Sequence, residues 1–379
     1  MNSPRKRKPI PSSLILFLLF LVVSGILIFG LNPKDLYLAN NVSWLSESPG
    51  IRFGKYGVAF TDPFLEQIPW KATSPNGFSF EISLRPKSYS EGGFNFIIVL
   101  SDGNDTSQLV MGQWRSYIII MNGDDYTYER RIKRASVDTA KLPTTNYFIS
   151  AITGNEGTKV YINGQLFFEK KDLTLRIPNE SMKARLVLGN SVYGRNSWEG
   201  IIYGLAFYQY ELTPQQIHHH YSQWLKEKNF AFAKRENPYA LYLFEEKNNS
   251  KSIDHSGRNN HIHIPERMKI LKKKFLGLPV NAFPLRSVLV QDVILNLLGF
   301  IPLGFILTAA LTRLNGAVGS HSLIIAVLLG FLLSLSIESV QSFAPTRDSS
   351  MLDLTLNTMG TLIGAVILKS VLRWAKFRN

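Results

Sequence analysis

The last third of the chain is apolar enough to lie in a membrane, yet acidic and amide side chains recur in it at helical spacing. Three apolar segments each carry an acid followed three or four residues later by an amide: Asp292 and Asn296, Glu338 and Gln341, Asp353 and Asn357. Residues at that spacing lie on one face of a helix. Because a carboxylate inside a membrane helix costs about 2.5–3.5 kcal/mol, the pattern predicts membrane helices that share a polar pocket.

Four segments are long and apolar enough to cross a bilayer, which takes about 20 residues. The first is Leu14–Leu31, and the others lie near Val288–Leu311, His321–Phe343 and Leu354–Leu372. The basic cluster at residues 5–8 places the N-terminus in the cytoplasm. A cleaved signal peptide is the rival interpretation of the first segment, but the run is long and no small-x-small site follows it. An uncleaved anchor is therefore favoured.

Four crossings place both termini in the cytoplasm and residues 32–287 outside it, so the polar pocket falls at the outer end of the helices. Asp292 and Asp353 begin helices, where an acid can also serve as a cap. Glu338 lies near a helix C-terminus, where the helix dipole disfavours an acid. It needs a partner, and Arg347 in the following loop is the best candidate. The candidate pocket comprises Arg347 and the three acid–amide pairs.

The net charge of +14 would suit a nucleic-acid partner, but its distribution argues against one. Basic residues concentrate beside the apolar segments, at residues 5–8, 267–274 and 369–378. Basic residues in such places anchor proteins to the lipid bilayer, and no nucleic-acid motif accompanies them. The chain has no Cys, which excludes disulfides and thiolate metal sites. The charge therefore favours a lipid bilayer as partner and excludes nucleic acid.

Three motifs of the last third resemble a known family. Residues 296–305 read N-x-L-G-F-x-P-L-G-F, residues 336–347 read S-x-E-x-x-Q-x-F-x-P-x-R, and residues 353–360 read D-L-x-x-N-x-x-G. Their order and spacing closely resemble the VanZ-like membrane domain over about Val288–Leu372. The resemblance implies a small helical membrane domain and, through the founding member, a link to teicoplanin-type glycopeptide resistance. The chain departs from the family in architecture, because a large exported region separates the first span from the other three.

The exported region alternates apolar and polar positions, as in FSFEISLRP at residues 78–86, which is typical of half-buried strands. Asn163–Gly164 predicts a tight hairpin turn. Thr213, Pro214 and Gln216 predict a helix start with a capping box. Many short strands with turn residues between them predict a two-sheet antiparallel β-sandwich.

The same region resembles a laminin-G-like, concanavalin A-like jelly roll. The resemblance rests on GIRFGKYGVAFTD, FSFEISLRP, KVYINGQLF and a closing W-x-G-x-I-x-x-L-A-x-Y-x-x-x-L-T-x-x-x-I that begins at Trp198. It implies binding of glycans or proteins; the E-x-D-x-x-E strand motif of related glycanases is absent. Residues 240–265 resemble the opening strand of such a domain. This segment either completes the sandwich or is a remnant of a second copy, and completion is favoured because too few residues follow for another sandwich.

Two groups of residues in the jelly roll are candidates for ligand binding. Aromatic side chains stack on sugars, and the candidates are Trp114, Tyr117, Tyr193 and Trp198. Acidic loops suit calcium, and the weak candidates are Asp102, Asp105, Asp124 and Asp125. Core packing is the commoner fate of such aromatic residues, and a solvated turn has the same composition as an acidic calcium loop. No metal or other cofactor is assigned beyond this calcium candidate.

The sequence thus predicts a multidomain protein with both α and β structure: an antiparallel β-sandwich (jelly roll) plus a four-transmembrane-helix bundle. The predicted domains are a basic N-terminus (1–12), helix 1 (13–31), the sandwich (36–265), a basic segment (266–287), the VanZ-like domain (288–372) and a basic tail (373–379). The basic segment is either interfacial or a solvated linker.

Two functional hypotheses stay open at this point. The first is a non-enzymatic protein of the bacterial cytoplasmic membrane, whose exported domain recognises an envelope glycan or an exported protein. The second is a membrane enzyme or carrier that acts on a lipid-linked envelope precursor through the polar pocket. Acids that converge around one cavity would favour the second hypothesis.

Overall fold

The computed structural model describes residues 11–31, 37–63, 77–87, 90–178, 184–228, 230–247, 249–273, 275–277 and 287–377, with the side chains of 90–92, 287–292 and 376 excepted. The predicted basic cluster at residues 5–8 lies outside these ranges. The chain divides into two units. The sandwich unit is Leu38–Lys272, and the helical unit is Met1–Tyr37 with Lys273–Asn379.

The strands of the sandwich unit follow one another closely along the chain. They are β1 (Val42–Trp44), β2 (Ile51–Phe53), β3 (Ala59–Thr61), β4 (Phe78–Pro86), β5 (Ser90–Ser101), β6 (Leu109–Arg115), β7 (Tyr117–Asn122), β8 (Arg134–Asp138), β9 (Tyr147–Gly154), β10 (Gly157–Ile162), β11 (Gln165–Lys170), β12 (Arg185–Leu188), β13 (Gly200–Tyr208), β14 (Ala240–Tyr242), β15 (Lys251–Ser252) and β16 (Ile262–His263).

These strands form two antiparallel sheets. The first sheet has the order β1-β2-β13-β4-β9-β10-β11, with β14 also paired to β13, and the second has the order β15-β16-β3-β12-β5-β6-β7-β8. Apolar residues at alternate strand positions, such as Ile82 and Leu205 of the first sheet and Leu186 of the second, are buried in one shared core. The predicted antiparallel β-sandwich is confirmed.

Local signals in the sequence place several of these elements. Asn163 and Gly164 have positive φ values of 52° and 75° and form the turn between β10 and β11, as a primed hairpin turn requires. The predicted capping box is present: the Thr213 hydroxyl accepts from the Gln216 N–H, and the Gln216 side chain accepts from Thr213 N–H. Strand β14 pairs with β13, so the segment after the jelly-roll motifs completes the sandwich, as expected.

Helix α1 (Ser12–Gly30) belongs to the helical unit, whereas α2 (Pro214–Glu227) covers the outer face of the first sheet. The apolar face of α2 carries Ile217, His220 and Trp224, spaced by three and four residues and all buried. The Trp224 ring lies 5.8 Å from that of Phe148 on β9. The 3-10 helix Ala231–Glu236 extends the same cover.

Part of the predicted basic segment belongs to the sandwich unit. Met268 is buried, and its N–H donates to the carbonyl of Leu38. The N–H groups of Leu271 and Lys272 both donate to the carbonyl of Val192. Residues 266–272 therefore pack on the sandwich unit through apolar side chains and backbone hydrogen bonds.

The remaining helices all lie in the helical unit. They are α3 (Ser287–Leu311), the short α4 (Ala317–Ser320), α5 (Ser322–Gln341) and α6 (Met351–Phe377). Four helices, α1, α3, α5 and α6, are long and apolar enough to cross a membrane among the described residues. They coincide with the four predicted spans to within a few residues, and α3 continues through Pro302.

Close backbone contact holds these helices together, and α6 carries a G-x-x-x-G sequence at residues 360–364, which lets helix backbones approach closely. A Cβ added at Gly360 would lie 2.3 Å from the carbonyl oxygen of Leu297 on α3, and one at Gly364 would lie 2.0 Å from that of Ile301. On the opposite side of the contact, a Cβ at Gly304 would lie 1.9 Å from the carbonyl oxygen of Thr361. The α3–α6 interface is therefore built on glycine, with no room for a side chain at these positions.

Candidate functional site

The polar pocket predicted in the helical unit is centred on Glu338, near the end of α5. Its side chain is only 1% exposed. Oε2 accepts a hydrogen bond of 2.7 Å from the backbone N–H of Ser350, and the Ser349 hydroxyl also bonds the carboxylate. Ser350 in turn caps α6, because its hydroxyl accepts from the N–H of Asp353 at 3.3 Å. Glu338 thus joins the end of α5 to the start of α6.

Lys273, which is not among the predicted pocket residues, lies at the C-terminus of α5. Its ammonium group donates to the carbonyl of Gln341 at 2.9 Å and to that of Ala344. A cation at this end complements the partial negative charge of the helix. The available signal was the basic run of residues 272–274, but nothing in a run of three lysines distinguishes the one that reaches a helix end.

The segment after Lys273 runs beside the loop between α5 and α6. The N–H of Gly277 donates to the carbonyl of Ser349 at 2.9 Å, and the N–H of Met351 donates to the carbonyl of Gly277 at 3.2 Å. The N–H of Leu276 donates to the Ser349 hydroxyl at 3.2 Å. Ser349 therefore accepts from this segment while it bonds Glu338, so the buried carboxylate and the segment stabilise the same loop.

The other residues of the candidate pocket lie at different depths. Asn357 is buried and donates to the Ser334 hydroxyl of α5 at 2.9 Å, while Gln341 donates to the carbonyl of Gly30 at the end of α1 at 2.8 Å. Arg347 is exposed, and Asp353 is half-buried in the first turn of α6.

Asn296 is half-buried on α3, and the side chain of Asp292 lies outside the described residues. The hydrogen bonds described for this candidate pocket link helix ends and link one helix to another. That these residues also act on a ligand stays a prediction.

The four aromatic candidates of the sandwich unit have distinct surroundings. Trp198 is fully buried, and its indole N–H donates to Gln113 at 2.9 Å. Its ring is part of the core and offers no face to a sugar, because large apolar surface is most stable between the sheets. The Tyr193 hydroxyl donates to Asp105 at 2.5 Å, and Lys272 lies over its ring. Neither of these rings forms an open platform.

Trp114 and Tyr117 form an aromatic pair at the surface. They face one another across the tight turn between β6 and β7, with ring centroids 6.0 Å apart. Trp114 is 38% exposed, and the guanidinium of Arg115 lies 4.8 Å from its ring centroid. Of the four predicted aromatic residues, Trp114 is thus exposed, and half-buried Tyr117 lies beside it.

The turn that carries this pair is fixed by hydrogen bonds. Arg115 has a positive φ of 55°, which costs a non-glycine residue about 1–2 kcal/mol. The Ser116 hydroxyl donates to Asp138 at 2.8 Å, and the Ser116 carbonyl accepts from the hydroxyl of Thr139 at 2.6 Å. These contacts hold the turn in its strained conformation, so the two rings are presented in a set geometry.

The weak calcium candidates form ion pairs or hydrogen bonds with other groups of the protein. Asp105 pairs with Lys272 at 3.2 Å, and Asp124 pairs with Arg130. Asp102 accepts from the N–H of Asn104 at 2.9 Å, in a local turn. In the part of the chain that the structure describes, no cluster of three or more acids or histidines could hold a metal ion.

Asp125, the fourth candidate, is buried in a set of donors. It accepts from the N–H groups of Arg130 and Ile132 at 3.3 and 3.0 Å and pairs with Arg134 at 3.2 Å. Burial alone would raise the pKa of this carboxyl, but these hydrogen bonds and the charge of Arg134 hold it below its usual range. The donors fix the loop before β8 and make the ionised carboxylate part of the fold.

A buried acid–imidazole pair was missed by the sequence analysis. Glu81 on β4 is 0% exposed, and its carboxylate contacts His220 Nδ1 at 2.9 Å. It also accepts from the hydroxyls of Ser150 at 2.9 Å and Tyr208 at 3.1 Å. Burial would lower the pKa of His220, but the hydrogen bond and charge of Glu81, with the charge of Glu236, raise it above its ordinary value.

A signal for this pair was present in the sequence. His220 lies on the apolar face of α2, three residues after Ile217 and four before Trp224. Glu81 alternates with apolar residues of β4 and so faces the other side of its sheet, which α2 covers. The pair lies inside the fold, beneath α2, and contributes to packing and charge balance.

Comparisons with known proteins divide the chain in the same way. The VanZ/LLP1 family model matches residues 201–373, and the model of the concanavalin A-like lectin/glucanase superfamily matches residues 65–218. No curated protein matches the chain. The VanZ/LLP1 match begins within β13, so it includes the end of the sandwich unit as well as α3, α5 and α6.

Several solved structures are similar to part of the chain. One is described as a receptor-binding domain, with 17% identity, a TM-score of 0.37 and coverage of 49% of this chain and 45% of that one. The binding domain of botulinum neurotoxin DC in complex with SialylT has the same values. The botulinum neurotoxin serotype D binding domain has 15% identity, a TM-score of 0.36 and coverage of 49% and 46%. The chain spans less than half the length of these structures. The two family matches confirm that this chain combines a VanZ-like membrane region with a laminin-G-like, concanavalin A-like domain.

Proposed function

We propose that this chain is a non-enzymatic, multi-pass protein of the bacterial cytoplasmic membrane whose sandwich unit binds a glycan outside the cytoplasm. The match to a lectin-type superfamily supports a binding domain. The four apolar helices and the VanZ/LLP1 match support a membrane protein. The helices anchor the binding domain, and the resemblance to VanZ supports a role in tolerance of glycopeptides or envelope stress.

The aromatic pair formed by exposed Trp114 and half-buried Tyr117 carries the proposal. Aromatic rings present an apolar face to the C–H groups of a sugar while their polar atoms stay solvated. Because the turn is held by Asp138 and Thr139, little conformational freedom is lost when a ligand packs against it. Arg115 beside the ring adds hydrogen-bond donors for sugar hydroxyls.

The proposed orientation follows the distribution of basic residues. The cluster at residues 5–8 and the tail from Lys369 onward are both basic, which favours cytoplasmic termini. With four crossings we therefore expect the sandwich unit outside the cytoplasm, where envelope glycans are found. Protease protection in sealed inside-out vesicles tests this orientation: the sandwich unit is expected to resist digestion until detergent is added, and digestion without detergent would contradict it.

Glycan binding is tested with the full-length protein in lipid nanodiscs on an array of glycans. Trp114→Ala is expected to weaken binding by about two- to twelvefold, because stacking contributes about 0.5–1.5 kcal/mol. Phe167→Ala is the matched control, since Phe167 is an exposed aromatic residue on β11 of the other sheet. Absence of binding to every glycan, or equal binding by the wild type and Trp114→Ala, would contradict the proposal.

The contacts of Glu338 favour this function over a membrane enzyme or a carrier of lipid-linked precursors. Its carboxylate bonds the loop before α6, which supports a structural role. The alternative is tested in cells with Glu338→Gln and Arg347→Ala at normal expression. Unchanged susceptibility to envelope-directed drugs supports the structural role, whereas a loss of tolerance equal to gene deletion would revive the alternative.

A further inference from the structure

A cleft of about 490 Å³ lies in the sandwich unit at the end of the β6–β7 hairpin opposite the aromatic pair. It is bordered by the loop before β6, the end of β7, the loop before β8 and the segment after β11. Its polar lining consists of Thr106, Ser107, Asn122, Lys133, Asp172, Thr174 and Arg176. The volume lies within the range of small-molecule sites, about 300–1,000 Å³.

The position of Arg176 in this cleft is fixed by its backbone. Leu175 and Ile177 on either side are buried in the core, so Arg176 and Thr174 alternate outward. The side-chain amide of Asn122 binds Arg176 twice: its oxygen accepts from the Arg176 N–H at 2.7 Å, and its nitrogen donates to the Arg176 carbonyl at 2.7 Å. Both polar atoms of the Asn122 side chain therefore hold the backbone of Arg176 in place.

Only some of the charged side chains in the cleft form ion pairs. Lys133 pairs with Asp172, donating to its carboxylate at 2.9 Å and to its carbonyl at 3.0 Å. The charge of Asp172 is therefore neutralised. The guanidinium of Arg176 has no partner among the described residues, and its side chain is exposed. The lining holds two cations and one acid, so one positive charge is left over.

We propose that this cleft binds the carboxylate or phosphate group of an anionic sugar, with Arg176 as the anion-binding residue. The planar guanidinium matches either group with two parallel hydrogen bonds. The hydroxyls of Thr106, Ser107 and Thr174 surround the space that the sugar occupies. The ligand class rests on the proposed glycan-binding function, but the site is separate from Trp114.

The separation of the two sites follows from the hairpin. Leu109 and Trp114 are five residues apart on β6, which corresponds to about 17 Å at 3.4 Å per residue. An anion at Arg176 therefore lies too far from Trp114 for both to contact one monosaccharide. A change at Trp114 is expected to leave anion binding unchanged, so failure of the aromatic site and failure of the cleft are distinguishable.

The test is isothermal titration of the full-length protein in detergent with three probes: a uronic-acid disaccharide, a neutral disaccharide of the same size, and inorganic phosphate. The charged disaccharide is expected to bind more tightly than the neutral one, and more weakly as salt is raised. Arg176→Gln is expected to weaken its affinity by about tenfold or more. Arg52→Gln, at an exposed arginine on β2 of the other sheet, is the matched control and is expected to bind as the wild type does.

The comparison of probes identifies the source of the anion. Tighter binding of the charged disaccharide than of phosphate, lost in Arg176→Gln, supports an anionic sugar. Equally tight binding of phosphate, also lost in Arg176→Gln, supports the cleft as an anion site but contradicts a sugar as its ligand. Equal affinity of Arg176→Gln and the wild type for every anion, or no preference for charge, would overturn the inference.

Discussion

The two units of this protein place their apolar residues in opposite ways. In the sandwich unit, large residues such as Phe80, Phe148 and Trp198 are almost fully buried. In the helical unit, Leu295 and Ile324 are exposed on helices that could cross a membrane. The hydrophobic effect drives the first arrangement in water, whereas lipid is as apolar as a leucine side chain and gives the second no such force.

Polar contacts and backbone packing consequently contribute differently to the stability of the two units. The sandwich unit buries Glu81 inside a core that already has a large apolar interior. In the helical unit the helices meet at glycine, and the buried Glu338 joins helix ends. We infer that the sandwich unit tolerates altered surfaces but not a broken polar network, and that the helical unit depends on close contact between backbones.

The largest effect is expected for Glu81→Ala in the sandwich unit. The change removes the partner of buried His220 and of two hydroxyls, on Ser150 and Tyr208. Breaking a buried pair by removing one member costs about 3–5 kcal/mol. The free energy of unfolding is measured by denaturant titration of the full-length protein in detergent, followed by tryptophan fluorescence. Glu156→Ala removes a highly exposed carboxylate and is expected to cost less than about 0.5 kcal/mol; equal losses would contradict the buried network.

The next effect is expected for Gly364→Val in the helical unit. A Cβ there would lie 2.0 Å from the carbonyl oxygen of Ile301 on α3, so the helices must separate or shift. Overpacking of this kind costs about 1–3 kcal/mol. Helix content during titration with a denaturing detergent, measured by far-UV circular dichroism, reports the loss.

Gly299 provides the control for this comparison. A Cβ added there meets nothing within 4 Å, although Gly299 lies on the same helix α3. Gly299→Val is therefore expected to change stability by less than about 0.5 kcal/mol. If both valine variants unfold alike, helix propensity rather than backbone contact governs the helical unit.

The elements of both units were largely predictable from local pattern. Hydropathy gave the four membrane helices, alternation gave the strands, and Thr213 and Asn163 marked a helix start and a turn. Motifs gave the family combination, which the family models confirm. These features depend on residues close together in the chain, which a sequence displays directly.

The contacts of the candidate sites were less predictable. Glu338 meets the N–H of Ser350, and a backbone donor leaves no mark in the sequence. Lys273 reaches Gln341 across 68 residues. Asn122 fixes Arg176 across 54 residues, so the cleft exists only after the sheets are assembled. Contacts between residues far apart in the chain depend on the topology of the fold. No fixed sequence spacing predicts them.

An effect of similar size is expected at Glu338, where charge and hydrogen bonding can be separated. Glu338→Leu leaves the N–H of Ser350 and the hydroxyl of Ser349 without this acceptor, and an unpaired buried polar group costs about 1–3 kcal/mol. Glu338→Gln keeps an acceptor oxygen and is expected to lose less than about 1 kcal/mol. Thermal unfolding of the two variants in detergent measures the difference. Equal losses would mean that the charge itself stabilises the helical unit.

The smallest effect is a dependence of sandwich stability on pH through His220. Glu81 and Glu236 face its ring nitrogens at 2.9 and 3.5 Å, and they raise its pKa in the folded protein above the ordinary value of 6.5. A group with a raised folded pKa contributes stability that is fully present below its unfolded pKa and is lost as pH rises through the folded pKa. The melting temperature of the sandwich unit is therefore expected to fall as pH rises from about 6.5. His220→Gln is expected to remove this slope, whereas His219→Gln, at an exposed neighbour on α2, is expected to keep it. A slope unchanged in His220→Gln would assign the pH dependence to another group and reduce the buried pair to a packing contact.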